Sequence, residues 1–451
     1  MKATLAAFAQ SCDGRLVGAD AAFTGVSTDS RTLNAGELFV ALSGPRFNGE
    51  DYVAAAVARG AAGAVVRSAQ SGAASQILVD DTLAALASGA AAWREGFAIP
   101  VVGVAGSNGK TTVKELIAGI LSQAGPCLST RGNLNNHIGV PLTLFRLRGE
   151  HRFAVVEMGA DRAGEVAALV RIGRPTVGII TNAGAEHLEG FGSLEGVALA
   201  EGEMVAGLSH DATAVINHDD PFALVWKNMT AARVSTFGLA PGADFTAGEV
   251  RTTIDESGFI TQFTLHAPQG SVPVELHLAG RHNLTNALGA AAAASAAGVG
   301  LGEIARGLAA MRPVPGRLQF KRAASGAWII DDSYNANPSS VQAGIEVLSQ
   351  LAGRRWLVFA DMGELGDFAP ESHTQVGLWA KSAGIERLFA TGTEAQRAVD
   401  AFGPGASWFA DTTALAAAVG AESTAEVRML IKGSRFNRLE RVVAALLGKG
   451  A

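Results

Sequence analysis

Cysteine is nearly absent: Cys12 and Cys127 are the only two in 451 residues. Two thiols without metal-ligand spacing exclude a disulfide framework and a zinc-type site, and predict a pair of buried thiols in a reducing cytoplasm. A long basic run is also missing, and the formal net charge is -6, which removes the electrostatic footprint that nucleic-acid binding leaves. No stretch supplies the about 20 strongly apolar residues of a membrane span. The alanine-rich ALGAAAAASAAG has little bulk and predicts a helix inside a soluble domain. The opening MKATLAAFAQSCDG, interrupted by Gln10 and followed by Asp13, lacks the pattern of a signal peptide and predicts a short helix.

What is abundant is apolar residues, 48% of the chain, enough for several cores; the length suggests about three domains. Short strand-like runs (ELFVAL, AGAVV, QILVDD) separated by alanine-rich helical stretches occupy residues 1–97, up to Pro100. From 98 to 311, strands VVGVAG, FAVVEMG, VGIITNAG and ATAVINHDD alternate with helical segments, the pattern of a parallel sheet covered on both faces. MRPVPGR reads as a linker. Beyond it, within 312–451, WIIDD, RWLVFADMG, RLFATG and VRMLIKG repeat the alternation. The fold class is therefore α/β in three domains, with a doubly wound sheet at the centre.

The stretch VVGVAGSNGKTT (101–112) sets a strand, a glycine-bearing turn and a helix in the order that a phosphate-binding loop needs. Gly106, Ser107, Asn108 and Gly109 let backbone N–H groups converge on an anion. Lys110 adds a point charge, the Thr111 hydroxyl can ligate Mg²⁺, and Thr112 continues the helix. The general template G-x-x-x-x-G-K-[ST] is not fully met, because Val104 stands where its first glycine belongs.

Acidic and polar residues follow neighbouring strands. Glu157 closes FAVVEMGA, and His187 and Glu189 follow VGIITN. In doubly wound sheets ligands bind beyond the carboxyl ends of strands, so these groups are expected on the rim that carries Lys110 and Thr111, sharing a cation. Three amide-rich loops, GNLNNHIGVP (132–141), GRHNLTN (280–286) and DDSYNANP (331–338), suggest a large hydrogen-bonding ligand, although asparagine is also a common turn residue.

Taken together, GSNGKTT, EMGA, NAGAEHLEGFGS, GRHNLTNAL, PGRLQ, DDSYNANP, DMGELG and KGSR, in this order and at these spacings, resemble the Mur ligases of peptidoglycan synthesis. Within that family, DDSYNANP and GNLNNHIGVP resemble the branch that adds D-alanyl-D-alanine to UDP-N-acetylmuramoyl-tripeptide. The resemblance implies an N-terminal domain gripping the UDP moiety (1–97), a central P-loop ATPase domain (98–311) and a Rossmann-like C-terminal domain that closes over the site (312–451).

It also implies ATP and Mg²⁺ as cofactors and an acyl-phosphate intermediate. Lys110, Glu157, His187 and Asn133 would be the catalytic groups, and Thr111, Glu157, His187 and Glu201 the cation ligands. Asn283, Arg317, Asp332, Tyr334 and Asn335 would join the phosphate loop on the nucleotide. Ser30, Arg31, Phe47, Asn135, Asn136, Lys432, Ser434 and Arg435 would contact substrate, although an ion pair with Asp29 is the plain alternative for Arg31. Many members place a carbamylated lysine after the HLEGFGS loop; VALAEGEM has no lysine there, and Glu201 is expected to replace the carbamate.

The resemblance points to a monomeric cytoplasmic protein without nucleic-acid partners or a membrane span. A sister ligase adding a single amino acid, and a nucleotide-switched binding protein, remain the alternatives.

Overall fold

The computed structural model describes residues 3–45, 47–72, 75–185, 188–255 and 258–448. Its centre is a six-stranded, wholly parallel sheet in the order Cys127–Ser129, Phe153–Glu157, Val101–Ala105, Val177–Ile180, Thr213–Asn217, Arg233–Phe237. The strand VVGVA is buried throughout because both faces are covered: Val101 and Ala105 join the core on one face, Val102 and Val104 that on the other. Helices Glu165–Gly173 and Leu194–Ala206 supply the first face. Lys110–Leu121, Arg281–Ala296 and Leu301–Ala310 supply the second. The alanine-rich segment is one of these helices, with Ala290 to Ala294 at most 1% exposed. Its small side chains let the helix lie close to the sheet.

The N-terminal residues form a mixed five-stranded sheet: Arg15–Val17, Gln76–Leu78, Gly63–Val66, Leu38–Val40, Val26–Ser27. The expected short helix is present at Leu5–Ser11. One continuous apolar cluster runs from Leu5, Phe8 and Phe23 to Val140, Phe145 and Val156 of the central unit. The Phe8 and Phe145 rings stack at 6.1 Å, and the buried Arg94 donates to Gly173 O at 3.2 Å. The first two units are thus welded by a shared core.

Beyond the segment 311–317 lies a second six-stranded sheet: Gln319–Arg322, Trp328–Asp332, Val427–Lys432, Arg354–Ala360, Arg387–Thr391, Ala406–Phe409. It is parallel except at its first edge. Alternation again divides each strand between two cores, with Leu357 and Phe359 on one side and Trp356 and Val358 on the other. The strands read from the apolar runs are all present. A three-stranded antiparallel sheet, Thr246–Asp255, Gly258–Ala267 and Gly270–Leu276, was not anticipated within 98–311. Its Phe259 packs into the C-terminal core beside Leu318.

The phosphate-loop helix Lys110–Leu121 is clamped by Leu301–Ala310 at Gly307, where an added Cβ would meet the backbone of Ile120. Gly307→Ala is expected to cost about 1–3 kcal/mol through overpacking, read as a lower denaturation midpoint. An unchanged midpoint would show that the two helices can separate freely.

Candidate functional site

A cavity of about 630 Å³ opens between the carboxyl ends of the central strands and the C-terminal unit, within the size range of small-molecule sites. It is lined by Ser107 to Thr112, by Asn133, Asn135 and Glu157, and by Asn283, Arg317, Asp332, Tyr334, Asn335 and Lys432. Residues more than 300 positions apart in the chain therefore meet at one rim. The cause is topological: parallel strands all end on the same side, and the C-terminal sheet is docked facing that side.

The loop's shape depends on two glycines. Gly106 has φ +119 and a Cβ there would collide with the Thr181 side chain; Gly109 has φ +85 and a Cβ would lie 2.7 Å from Asn286 Oδ1. Three loop N–H groups are already taken. Gly106 N donates to Glu201 Oε2 at 2.6 Å, Ser107 N to Asn182 O at 2.9 Å, and Asn108 N to Asn182 Oδ1 at 3.0 Å. The carbonyl of Asn108 accepts from Thr181 Oγ1 at 2.7 Å and Asn182 Nδ2 at 2.9 Å. The expectation that the whole loop turns its N–H groups on an anion is thereby narrowed. The donors aimed at a ligand are those of the helix's first turn, which have no intrahelical acceptor. Lys110 Nζ reaches Gly106 O at 2.5 Å and Ser107 O at 3.1 Å.

Glu157 is 3% exposed. Its Oε1 accepts from Asn135 Nδ2 at 3.0 Å and Thr111 Oγ1 at 3.3 Å. Its Oε2 is buried without a hydrogen-bond partner among the described residues. Its backbone N donates to Thr130 Oγ1 at 3.0 Å, and Thr130 O accepts from the buried Lys114 Nζ at 3.0 Å. An anionic oxygen stranded this way next to a threonine hydroxyl fits a divalent cation. Among the described residues no group of three or more His, Cys, Asp and Glu forms a cage, which suits Mg²⁺, an ion usually held by one or two carboxylates plus substrate phosphates. His187 lies outside the described residues.

Several expected contacts are engaged elsewhere. Glu201 is 1% exposed and does not line the cavity; its carboxylate braces the loop from beneath through Gly106 N. Asn136 Oδ1 accepts from Ile138 N at 3.1 Å and Gly139 N at 2.9 Å, so it caps the helix Gly139–Leu144 and does not face the cavity. Ser434 donates to Ala336 O at 3.1 Å and accepts from Gly363 N at 2.9 Å, tying two C-terminal loops together. Lys432 Nζ is buried, 2.5 Å from Asp332 Oδ2 and 3.0 Å from Asn335 O. Burial pushes its pKa down and Asp332 opposes that shift. Its charge is thus neutralised within the protein.

Arg31 is exposed and pairs with Asp29 at 2.7 Å, and its guanidinium holds the Asp29 carboxyl down at about 2. Ser30, Arg31 and Phe47 belong to the N-terminal unit and do not line this cavity.

The Tyr334 ring carries two guanidinium neighbours, Arg317 at 4.5 Å and Arg435 at 5.6 Å from its centroid, a cationic-aromatic surface beside the loop. Asn283 donates to Ala279 O at 2.7 Å and accepts from Asn286 Nδ2 at 3.1 Å. Asn286, Thr181, Asn182, Asn337 and Ser339 also line the cavity and were not singled out from the sequence. Asn286 and Asn337 lay inside motifs already noted, and Thr181–Asn182 directly follow a strand; their partners come from distant segments, so sequence offered no way to rank them.

Three family models match the chain: Mur ligase family, catalytic domain, over residues 22–94; Mur ligase middle domain over 104–294; and Mur ligase, glutamate ligase domain, over 316–435. The UDP-N-acetylmuramoyl-tripeptide–D-alanyl-D-alanine ligase of Escherichia coli K12 is 43% identical, with 99% of each chain covered. A crystal structure of MurF from Acinetobacter baumannii superposes with a TM-score of 0.93 at 34% identity, covering 100% of this chain and 99% of that one. MurF of Thermotoga maritima in complex with ADP gives 0.84 at 28%, covering 94% and 97%.

The brace and cation-ligand roles of Glu201 separate experimentally. Glu201→Gln keeps an acceptor for Gly106 N–H whereas Glu201→Ala removes it, so Ala should weaken nucleotide binding about tenfold and Gln far less. Equal damage from both, with a raised Mg²⁺ requirement, would return the carboxylate to the cation.

Burial lowers the pKa of His282, on the cavity wall, from its ordinary 6.5 to about 4, with Asp332 opposing and Lys432 reinforcing the shift. The unfolded chain binds this proton below about pH 6.5 and the folded chain only near 4, so His282 lowers stability progressively as pH falls through that window. His282→Gln should flatten the acid limb of a stability-against-pH curve; an unaltered limb would contradict this.

Proposed function

The chain belongs to the Mur ligase family, and on that premise we infer that it joins D-alanyl-D-alanine to UDP-N-acetylmuramoyl-tripeptide at the expense of ATP. The observation that carries the reading is the single cavity in which a phosphate loop, an unsatisfied carboxylate and the amide-rich loops of two units converge. The ligase resemblance includes the motifs of the dipeptide-adding branch, and the Escherichia coli relative carries that activity in its name.

A carboxylate is a poor acyl donor until one of its oxygens has become a good leaving group. Phosphorylation by the γ-phosphoryl of ATP provides this, and the dipeptide amine then displaces phosphate from the acyl carbon. The first step brings an anion toward a triphosphate, so catalysis consists largely of positioning and charge neutralisation. Lys110 and the first-turn N–H groups of its helix face the transferring phosphates. Asn133 and Asn135 orient the reacting oxygens without adding negative charge. Thr111 and Glu157, with His187, are assigned to Mg²⁺, which when bound supplies positive charge beside the phosphates. An amine has an ordinary pKa near 8, so a fraction is already free base at neutral pH and no strong base is required.

Tyr334 with Arg317, and Asn283, are assigned to the nucleotide. Ser30, Arg31 and Phe47 are assigned to the UDP end, which the welded N-terminal unit holds at a fixed distance from the loop. We assign residues 1–97, 98–311 and 312–451 to substrate gripping, ATP use and closure. Among the described residues no helix is long and apolar enough to cross a membrane; a nucleotide-linked substrate supports assigning the reaction to the cytoplasm.

Mixing the protein with ATP, Mg²⁺, dipeptide and either a lysine or a diaminopimelate tripeptide should yield UDP-muramyl pentapeptide by mass, and Asn135→Ala should lower kcat about tenfold or more. ATP cleavage without dipeptide dependence would favour a nucleotide switch instead.

A further inference from the structure

One side chain of the phosphate loop, that of Asn108, bonds to residues of the C-terminal unit. Asn108 Nδ2 donates to Ser339 Oγ at 3.0 Å, and Asn108 Oδ1 accepts from Asn337 Nδ2 at 2.8 Å. Ser339 Oγ in turn donates to Asn337 Oδ1 at 3.2 Å. The three side chains form a closed ring in which each donates to the next. Asn337 is itself rigid: it caps the helix Pro338–Ser349 through Ser340 N at 2.9 Å, with Ser340 Oγ accepting from Asn337 N at 3.0 Å.

On the other side, the peptide of Asn108 is fastened to Thr181 and Asn182. Gly184 packs below, where a Cβ would come within 2.7 Å of Asn108 Nδ2 and 3.1 Å of Ser339 Oγ. The ring crosses more than 220 residues of sequence and spans the central and C-terminal units, which also meet where Phe259 and Ala279 enter the C-terminal core. The C-terminal unit follows the linker 311–317, whereas the N-terminal and central units share one core.

We propose that Asn108 is a positioning residue through which docking of the C-terminal unit fixes the phosphate loop in its working shape. In the docked form the side chain is held at both ends, so the loop is pinned from the sheet side and from the capping side. When the C-terminal unit swings away, Asn108 loses both outer partners and only the Thr181–Asn182 fastening remains. Loop order and closure then become one event, which confines phosphoryl transfer to the form that excludes water. The ring is partly exposed and water competes for its bonds, so its effect is a bias on the docked population of about tenfold and not an absolute lock.

The turnover arm of the test rests on the ligase reading; a second arm does not. Asn108→Ala, Ser339→Ala and the double variant are compared with the wild-type full chain. In steady-state kinetics each single variant should lower kcat about tenfold, with the KM for ATP changing by less than about threefold, and the double variant should be no worse than either single one. In small-angle scattering, a non-hydrolysable ATP analogue with Mg²⁺ should compact the wild type more than the variants, an outcome that requires no ligase chemistry. Gly184→Ala, which wedges a methyl under the ring without removing any of its members, should reproduce the kcat loss.

Losses that add in the double variant, ATP affinity falling as far as kcat, or equal compaction in all proteins would overturn the proposal. Wild-type compaction without pentapeptide formation would count against the ligase reading while leaving the ring intact.

Discussion

The fastening of the phosphate loop's peptide groups to the residues that end the adjacent strand is the interaction on which the site rests. Thr181 and Asn182 follow Val177–Ile180 and hold Ser107 and Asn108 through four hydrogen bonds, while Glu201 holds Gly106 from below. Buried peptide groups need partners, and here those partners also decide where the helix Lys110–Leu121 begins. The first-turn donors, Thr111 and Lys110 start from a turn whose three preceding residues are fastened on the sheet side.

From that constraint the rest of the site follows. Strand Phe153–Glu157 pairs directly with Val101–Ala105, so Glu157 ends level with the loop and meets Thr111. Lys114, on the same helix, holds Thr130, and Thr130 holds the backbone of Glu157. The Thr111–Glu157 pair is thus supported by a chain of contacts that starts and ends on the phosphate-loop helix. Lys432 and Asp332 play a comparable part in the C-terminal unit. Their buried pair neutralises charge within the protein and leaves Tyr334, with Arg317 and Arg435 beside its ring, to face the cavity.

Much of this was legible in the sequence. Apolar runs bounded by turns marked eleven strands, most of those in the three largest sheets, and the order of strand, glycine turn and lysine located the loop, because these signals are local. The antiparallel sheet of residues 246–276 is harder to read because its alternating strands carry polar residues on an exposed face. Motif membership could not divide asparagines that face the ligand from those that close turns. Asn135 reaches Glu157 while its neighbour Asn136 accepts from the N–H groups at the start of a helix. Glu201 reads from its neighbourhood as a cation ligand; one of its oxygens accepts from an N–H 95 residues away, and no spacing rule announces such a contact.

The central claim is that the γ-phosphoryl passes to the peptide acid before the dipeptide attacks. It is tested most directly by following oxygen from tripeptide labelled with ¹⁸O in its terminal carboxylate. The account predicts that each phosphate released during dipeptide-dependent turnover carries one labelled oxygen, taken from the carboxylate when the acyl phosphate breaks. Phosphate released without label, at the same rate as amide formation, would contradict it.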